Sequence, residues 1–339
     1  SVSTDEAAPT TDPSVTTSLT PSTTADAARA PQREAVPATS VVVEPAVVEK
    51  KEESLVTFSA TPGSGVTADF GDKFSLNIKS RIQVRYQLDI PNEGADGERQ
   101  LLQTVNIGTA RLFFAGHMFT RKLNYVIQLA VAGRDFRDGA TSPIFDAFLD
   151  WKLHRDFSVK VGQYFVPFDR LRTVREFALQ MGDRPRPVQE LTLDRDVGVT
   201  FYSDTFLGDH SPLAVRLGLF GGGGTNLSLG KEAGALAVGR LELRPLGEID
   251  DDSEGDLKRR EEVGLAIGVA GAVNWNTNRL RSTTGRTFAA DVVDYRHAAI
   301  DAVLKWQGIA LQAEMLWKDA SKDELTGATP AAPEYSQSG

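Results

Sequence analysis

The sequence predicts an all-β protein, an antiparallel transmembrane β-barrel, preceded by a disordered N-terminal segment. The clearest signal is residues 74–88, where polar side chains alternate with an apolar set made of Phe74, Leu76, Ile78, Ile82, Val84, Tyr86 and Leu88. Alternation with period two indicates a strand with one apolar and one polar face. These fifteen residues exceed the usual strand length of about 5–6 residues and suffice to cross a bilayer, which takes roughly 9–11 residues.

Composition supports the same fold class. The chain has 339 residues, of which 41% are hydrophobic and 24% charged, and its mean hydropathy is -0.23. A helical membrane protein is excluded, because no run approaches the roughly 18 consecutive apolar residues of a membrane-spanning helix. A β-barrel is not excluded, since its alternating strands have the composition of a soluble protein. The chain has no cysteines, so disulfides and thiolate metal sites are excluded.

Three regions are predicted. Residues 1–60 are rich in Ser, Thr, Pro, Ala and Val and poor in aromatic residues, so they cannot bury enough surface to fold. We expect them to form a disordered periplasmic tether, a barrel over residues 61–320, and an external loop or tail at 321–339. The barrel is predicted from eleven strand candidates: 74–88, 105–116, 123–132, 143–154, 156–165, 196–203, 213–220, 234–244, 263–273, 294–306 and 308–318.

The connections between these candidates alternate in length. Those after the odd-numbered strands are long, and residues 166–195 form the longest, whereas those after the second, fourth and tenth strands are short turns. Long loops at one end and tight turns at the other are typical of bacterial outer-membrane barrels. Such barrels have an even number of strands, so the odd count predicts that the barrel is incomplete at its C-terminal end.

A series of motifs resembles one family. Residues 162–168 read Gly-Gln-Tyr-Phe-Val-Pro-Phe, an arginine-bearing loop follows, and residues 195–198 read Arg-Asp-Val-Gly. With Thr-Ala-Arg-Leu at 109–112 and Asp-Ala-Phe-Leu-Asp at 146–150, this order of motifs resembles the phosphate-selective porin O/P family. The resemblance implies a trimeric outer-membrane channel of about 16 strands whose third external loop folds into the barrel. Here the third long loop is 166–195.

Anion permeation requires fixed positive charge along a narrow aqueous path, and rings of Arg or Lys line anion pores. Arginine suits phosphate because its planar guanidinium presents a fork of donors. The candidate pore-lining, anion-binding residues are Arg170, Arg172 and Arg175 on the loop, with Lys79, Arg81, Arg85, Arg111 and Lys160 on strands. A general pore with locally paired charges is the alternative, because residues 167–196 contain six Arg and six Asp/Glu.

Two other patterns partly resemble ligand-binding loops. Asp250, Asp252, Glu254 and Glu261 match some positions of a calcium-binding loop, but three cations crowd it and strands flank it, so an acidic solvated turn is the preferred interpretation. Gly221–Gly224 lacks the Lys-Ser/Thr and helix of a phosphate-binding loop, and we expect a flexible external loop. No cofactor, metal site or enzymatic motif is predicted.

The sequence therefore predicts an outer-membrane porin for passive diffusion of small anions such as phosphate, in contact with lipid and not with nucleic acid. A structural barrel is the alternative, acting as an envelope anchor through a periplasmic or peptidoglycan partner of residues 1–60. A soluble β-sandwich surface protein is the third possibility.

Overall fold

The computed structural model describes residues 56–90, 101–136, 142–181, 183–226, 234–250, 253–288, 292–322 and 337–338. It confirms the all-β antiparallel prediction. One sheet contains fourteen strands in the order β1 to β11, β14, β15, β16, and β12 and β13 form a separate hairpin. The edge strands β1 and β16 are not paired with each other, so the sheet is not closed into a barrel.

The strands, in chain order, are β1 (Thr57–Thr61), β2 (Gly65–Asp69), β3 (Ser75–Asp89), β4 (Leu102–Met118), β5 (Thr120–Ala130), β6 (Ile144–His154), β7 (Phe157–Phe165), β8 (Arg195–Ser203), β9 (Leu213–Phe220), β10 (Ala235–Leu243), β11 (Gly264–Thr277), β12 (Arg279–Arg281), β13 (Thr284–Thr287), β14 (Val293–Trp306), β15 (Ile309–Ala320) and β16 (Gln337–Ser338). All eleven predicted strands are present. The five that were not predicted are short, with two to five residues each.

Two predicted boundaries change. β1 begins at Thr57, so the end of the predicted tether at residue 60 is wrong, and residues 1–55 lie outside the described residues. Gln337 and Ser338, placed in the predicted loop or tail, pair with Lys318 and Trp317 of β15.

The strands place charged and polar side chains on their buried parity, together with apolar core residues, and expose large apolar side chains on the other parity. In β14, Tyr295, His297 and Asp301 are at most 5% exposed, whereas Ile300 and Trp306 on the other parity are 48% and 41% exposed. β3 repeats the pattern, with Ile82 and Val84 about 70% exposed beside half-buried Arg81 and Gln83. A soluble protein that buries one sheet face normally places its apolar side chains there.

Segment 166–195 lies against the polar face of the sheet. It contains the short helices α1 (Arg170–Thr173) and α2 (Arg186–Leu191) and a 3-10 turn, Glu176–Ala178. Its apolar side chains form the main hydrophobic core together with side chains of the strands: Tyr164, Val166, Phe168, Leu171, Val188, Leu191, Leu193, Phe220, Leu236, Val238, Ala272, Ala299 and Leu316. None of the helices in the described ranges is long and apolar enough to span a membrane.

The sheet curves around this segment. Asp183 pairs with Arg85 on β3, and the Glu190 carbonyl accepts a hydrogen bond from Lys318 on β15. β3 and β15 are ten positions apart in the sheet, about 48 Å if it were flat. The eight residues from Asp183 to Glu190, seven chain steps, span at most about 25 Å. Even with two long side chains added, that reach requires the sheet to bend.

Candidate functional site

Segment 166–195 is fixed to strands β10 and β14 by a buried charge network. Arg170 Nε donates to Asp301 Oδ1 at 2.8 Å, and Arg170 Nη2 donates to Glu242 Oε2 at 2.5 Å. Arg240 lies 2.6 Å from the other Asp301 oxygen and donates to the Phe168 carbonyl at 2.9 Å. The side chains of Arg170, Glu242 and Asp301 are at most 4% exposed, so each charge relies on its partners rather than on water.

Backbone contacts extend this anchor along the segment. His297 Nδ1 donates to the Leu191 carbonyl at 3.1 Å, and Lys318 Nζ donates to the Glu190 carbonyl at 2.7 Å. The Asp194 amide donates to Thr283 Oγ1 at 2.8 Å. These bonds reach β14, β15 and the β12–β13 connection, so the second half of the segment is tied to the last long strands of the sheet.

The middle of the segment, which faces β3, has weaker contacts. Arg85 and Asp183 are paired at 3.2 Å, and their side chains are 25% and 64% exposed. The Arg81 guanidinium lies 3.1 Å from the centre of the Phe177 ring. Exposed ion pairs contribute only about 0–1 kcal/mol to stability. The segment is therefore held less firmly against β3 than against β10, β14 and β15.

Ion pairs inside the segment set its electrostatics. Asp194 pairs with Arg172, and Arg195 Nε donates to Asp146 Oδ1 at 2.7 Å while stacking between Phe145 and Phe165. Burial acts to raise the pKa of Asp194, but Arg172 and Arg195 outweigh burial and lower it to about 2. Burial lowers the pKa of Arg184 to about 10. These groups therefore remain charged at neutral pH.

The eight predicted site residues fall into two groups. Five of them have a carboxylate within ion-pair distance: Arg170, Arg172, Arg111 with Asp135, Lys160 with Asp150, and Arg85 with Asp183. The other three are Lys79, Arg81 and Arg175, and no carboxylate of the described chain pairs with them. Lys79 and Arg81 share one face of β3, and Arg81 lies against Phe177 and lines the same cavity as Arg175. These three side chains are here named the β3 cation cluster.

A cavity of about 700 Å³ lies between segment 166–195 and the inner face of β3 to β10. Eleven Lys/Arg and seven Asp/Glu line it, which leaves an excess of four positive charges. Arg81 and Arg175 of the β3 cation cluster are part of this lining. Eight aromatic rings also line the cavity: Phe113, Phe145, Phe148, Tyr164, Phe165, Phe168, Phe177 and Tyr202. Such a surface attracts anions, because the surplus charge offsets their lost hydration.

Two carboxyl groups face each other beside the buried network. Glu314 on β15 lies against Asp169, which precedes α1, and it is the cross-strand partner of Asp301. Asp169 Oδ2 and both Glu314 carboxylate oxygens are buried and receive no hydrogen bond from the described residues. Ionised carboxylates only accept hydrogen bonds, and two buried like charges repel. One proton shared between the two groups resolves both problems.

Several residues of the site were not predicted. They are Asp169, Arg184, Arg195, Arg240, Glu242, Asp301 and Glu314. Strand parity could have identified part of this set, because Arg240 and Glu242 are two residues apart and share one face of β10 with buried Leu236 and Val238. The sequence could not show which acidic side chain pairs with which basic one, because partners such as Arg170 and Asp301 are 131 residues apart.

The structure also bears on the weaker candidate sites. Gly221–Gly224 is not a flexible loop, because Gly222 is buried, donates to Asp196 Oδ2 at 2.6 Å and accepts from Asn274 Nδ2 at 3.0 Å. A Cβ at Gly222 would lie 2.3 Å from Asn274 Oδ1. That prediction was wrong, since glycine here serves close packing.

In the calcium candidate, the Glu254 carboxylate accepts from the Gln180 amide at 2.6 Å. Lys305 Nζ donates to the carbonyls of Asp250 and Ser253, so an ammonium group takes up backbone oxygens that a metal ion would need. Asp252 lies outside the described residues. Within the part of the chain that the structure describes, no group of three His, Asp or Glu is arranged to hold a metal ion.

Comparison of the chain with models of known protein families gives no match, and comparison with curated proteins gives none either. The resemblance to the phosphate-selective porin O/P family therefore stays a prediction that rests on its motifs, as do the trimer and the tether's partner.

Replacing Arg170 by Ala should release segment 166–195 from the strands. The change leaves Glu242 and Asp301 buried with one cation fewer. Breaking a buried pair lowers the free energy of unfolding by about 3–5 kcal/mol. We expect a lower thermal unfolding midpoint and faster trypsin cleavage after Arg172 or Arg175. Arg155→Ala, which removes a 46% exposed cation of a tight turn, is the control and should change neither. Equal protease resistance of Arg170→Ala and wild type would show that the network does not hold the segment.

Replacing Glu314 by Gln should stabilise the protein. The amide keeps the shape of the side chain and supplies the donor that Asp169 Oδ2 lacks, for a gain on the order of 1 kcal/mol. Thermal unfolding at pH 7 measures the effect. Gln312→Glu, on the same face of β15 two residues away, adds a charge and should lower the stability instead. A destabilised Glu314→Gln variant would contradict the shared-proton arrangement.

Proposed function

We propose that the protein is an outer-membrane porin-type β-barrel that passes small anions by passive diffusion. The sheet seen here would be part of the barrel wall, and segment 166–195 would be its constriction. The observation that carries the proposal is the inverted sheet, whose polar face is buried under a charged segment while its apolar face is exposed. Outer-membrane barrels have this distribution, with an apolar outer band and a polar interior.

The apolar face is extensive and regular. On β9 and β15 the exposed parity carries Leu217, Leu219, Leu311 and Met315, each more than half exposed. Monomeric soluble proteins rarely expose contiguous apolar patches of more than a few hundred Å². In water a face of this kind would cost free energy, whereas against lipid acyl chains it costs none. Lipid contact thus accounts for both faces of the sheet with one assumption.

Selectivity is assigned to the β3 cation cluster rather than to all eight predicted residues. An arginine whose charge is offset by a buried carboxylate, such as Arg170, contributes little net potential. Lys79, Arg81 and Arg175 have no such partner among the described residues, so their potential reaches the cavity. An anion that enters between segment 166–195 and β3 would exchange part of its hydration for donors from Arg81 and Arg175.

The test is ion selectivity in planar bilayers under a KCl gradient. Arg81→Gln/Arg175→Gln should lower the chloride-to-potassium permeability ratio by about threefold to tenfold, equivalent to roughly 0.6–1.4 kcal/mol. Gln retains side-chain hydrogen bonding but removes the charge. Arg172→Gln should have a smaller effect, because its charge is already offset by Asp194.

Arg155→Gln, at the exposed β6–β7 turn, controls for general surface charge and should leave the ratio unchanged. An unaltered ratio in the double variant would remove the β3 cation cluster from the proposal. A folded protein that carries no current would overturn the porin function itself.

A further inference from the structure

The two strand cations of the β3 cation cluster, which pair with no carboxylate of the described residues, lie against aromatic rings. The Arg81 guanidinium is 3.1 Å from the Phe177 ring centre, and Lys79 Nζ is 5.3 Å from the Phe113 ring centre. Lys79 and Phe113 are direct cross-strand partners on β3 and β4. Every unpaired strand cation of the cluster thus has a ring beside it. A solute held by these cations is also brought next to a flat apolar surface.

Phe177 is placed where a solute can reach it. Its side chain is 48% exposed, it lines the cavity, and it sits in the 3-10 turn Glu176–Ala178. The turn is fixed from both sides, because the Ala178 amide donates to the Arg175 carbonyl at 2.9 Å and the Ala178 carbonyl accepts from the Glu254 amide at 2.9 Å. A half-exposed ring on a hydrogen-bonded turn in a cationic cavity offers a stacking surface.

The size of the cavity also bears on the solute. A volume of about 700 Å³ falls within the range of about 300–1,000 Å³ of sites that hold organic ligands. A small inorganic ion would fill a minor part of it and would gain nothing from the eight rings of the lining. An anion with a flat conjugated body would use the cations and the rings together.

We infer that the favoured solutes are organic anions with a planar aromatic body, whose carboxylate or comparable group binds Arg81 and Arg175 while the ring packs on Phe177. This inference rests on the proposed porin function and names the solute class of the same site. Phe113, which lies beside Lys79, also lines the cavity. No covalent step is involved, and the solute leaves by diffusion.

The test compares two carboxylates that share charge and ring size. Chloride current through the protein in planar bilayers is titrated with benzoate, which is aromatic, and with cyclohexanecarboxylate, which is saturated and not planar. Benzoate should block at a concentration at least threefold lower. Inorganic phosphate is the third blocker and should act more weakly than benzoate.

Phe177→Leu keeps an apolar side chain but removes the ring, so the benzoate preference should fall to near one. The control is Phe119→Leu, at an 81% exposed position of the β4–β5 turn, which should retain the preference. Arg175→Gln should weaken block by both carboxylates alike. If Phe177→Leu fails to fold, the wild-type comparison of the two carboxylates still decides.

Equal block of wild type by the two carboxylates, or stronger block by phosphate than by benzoate, would overturn this inference and leave the porin function intact. An unchanged preference in folded Phe177→Leu would overturn the role of the ring. A folded protein without any current would overturn the porin function, so the two failures are distinguishable.

Discussion

The arrangement depends on one buried electrostatic network, in which Arg170 of segment 166–195 meets Glu242 and Asp301 of the sheet. A buried arginine without partners would be strongly unfavourable, and so would two buried carboxylates without a cation. The cation of the segment and the carboxylates of the sheet therefore stabilise each other. Arg240 completes the balance from β10 and also holds the Phe168 carbonyl. This network, together with the hydrophobic core around Phe168 and Leu171, holds the segment inside the curved sheet.

The position of the segment then determines the electrostatic potential in the cavity. Its cations are offset by carboxylates on the β10–β15 side, while on the β3 side Arg175 adds to Lys79 and Arg81. The same chain segment thus turns an overall acidic protein, with net charge -9, into one with a locally positive cavity. Long-range charge matters less here than which partners each side chain has within a few ångströms, because salt screens exposed charges over about 10 Å.

Much of the fold was predictable and little of the pairing was. The eleven long strands follow from period-two alternation, which is almost unbroken for β3. β1 and β2 were missed because five residues give too little alternation, and the buried role of Gly221–Gly224 because composition cannot distinguish close packing from flexibility. Arg170 was predicted to bind anions, and the structure pairs it with carboxylates 72 and 131 residues away. Such partners depend on sheet register and curvature, which no local pattern records.

If the proposed function is correct, the apolar face of the sheet contacts lipid and the polar face contacts water. The chain has no cysteine, so single cysteines introduced along β3 and β9 can carry a spin label in the reconstituted protein. Accessibility to oxygen, which partitions into lipid, and to a water-soluble nickel complex should alternate with period two. Labels at Ile82, Val84 and Leu217 should be oxygen-accessible, and labels at Gln83 and Arg216 nickel-accessible. Nickel access at the apolar positions equal to that at the polar ones would contradict the account.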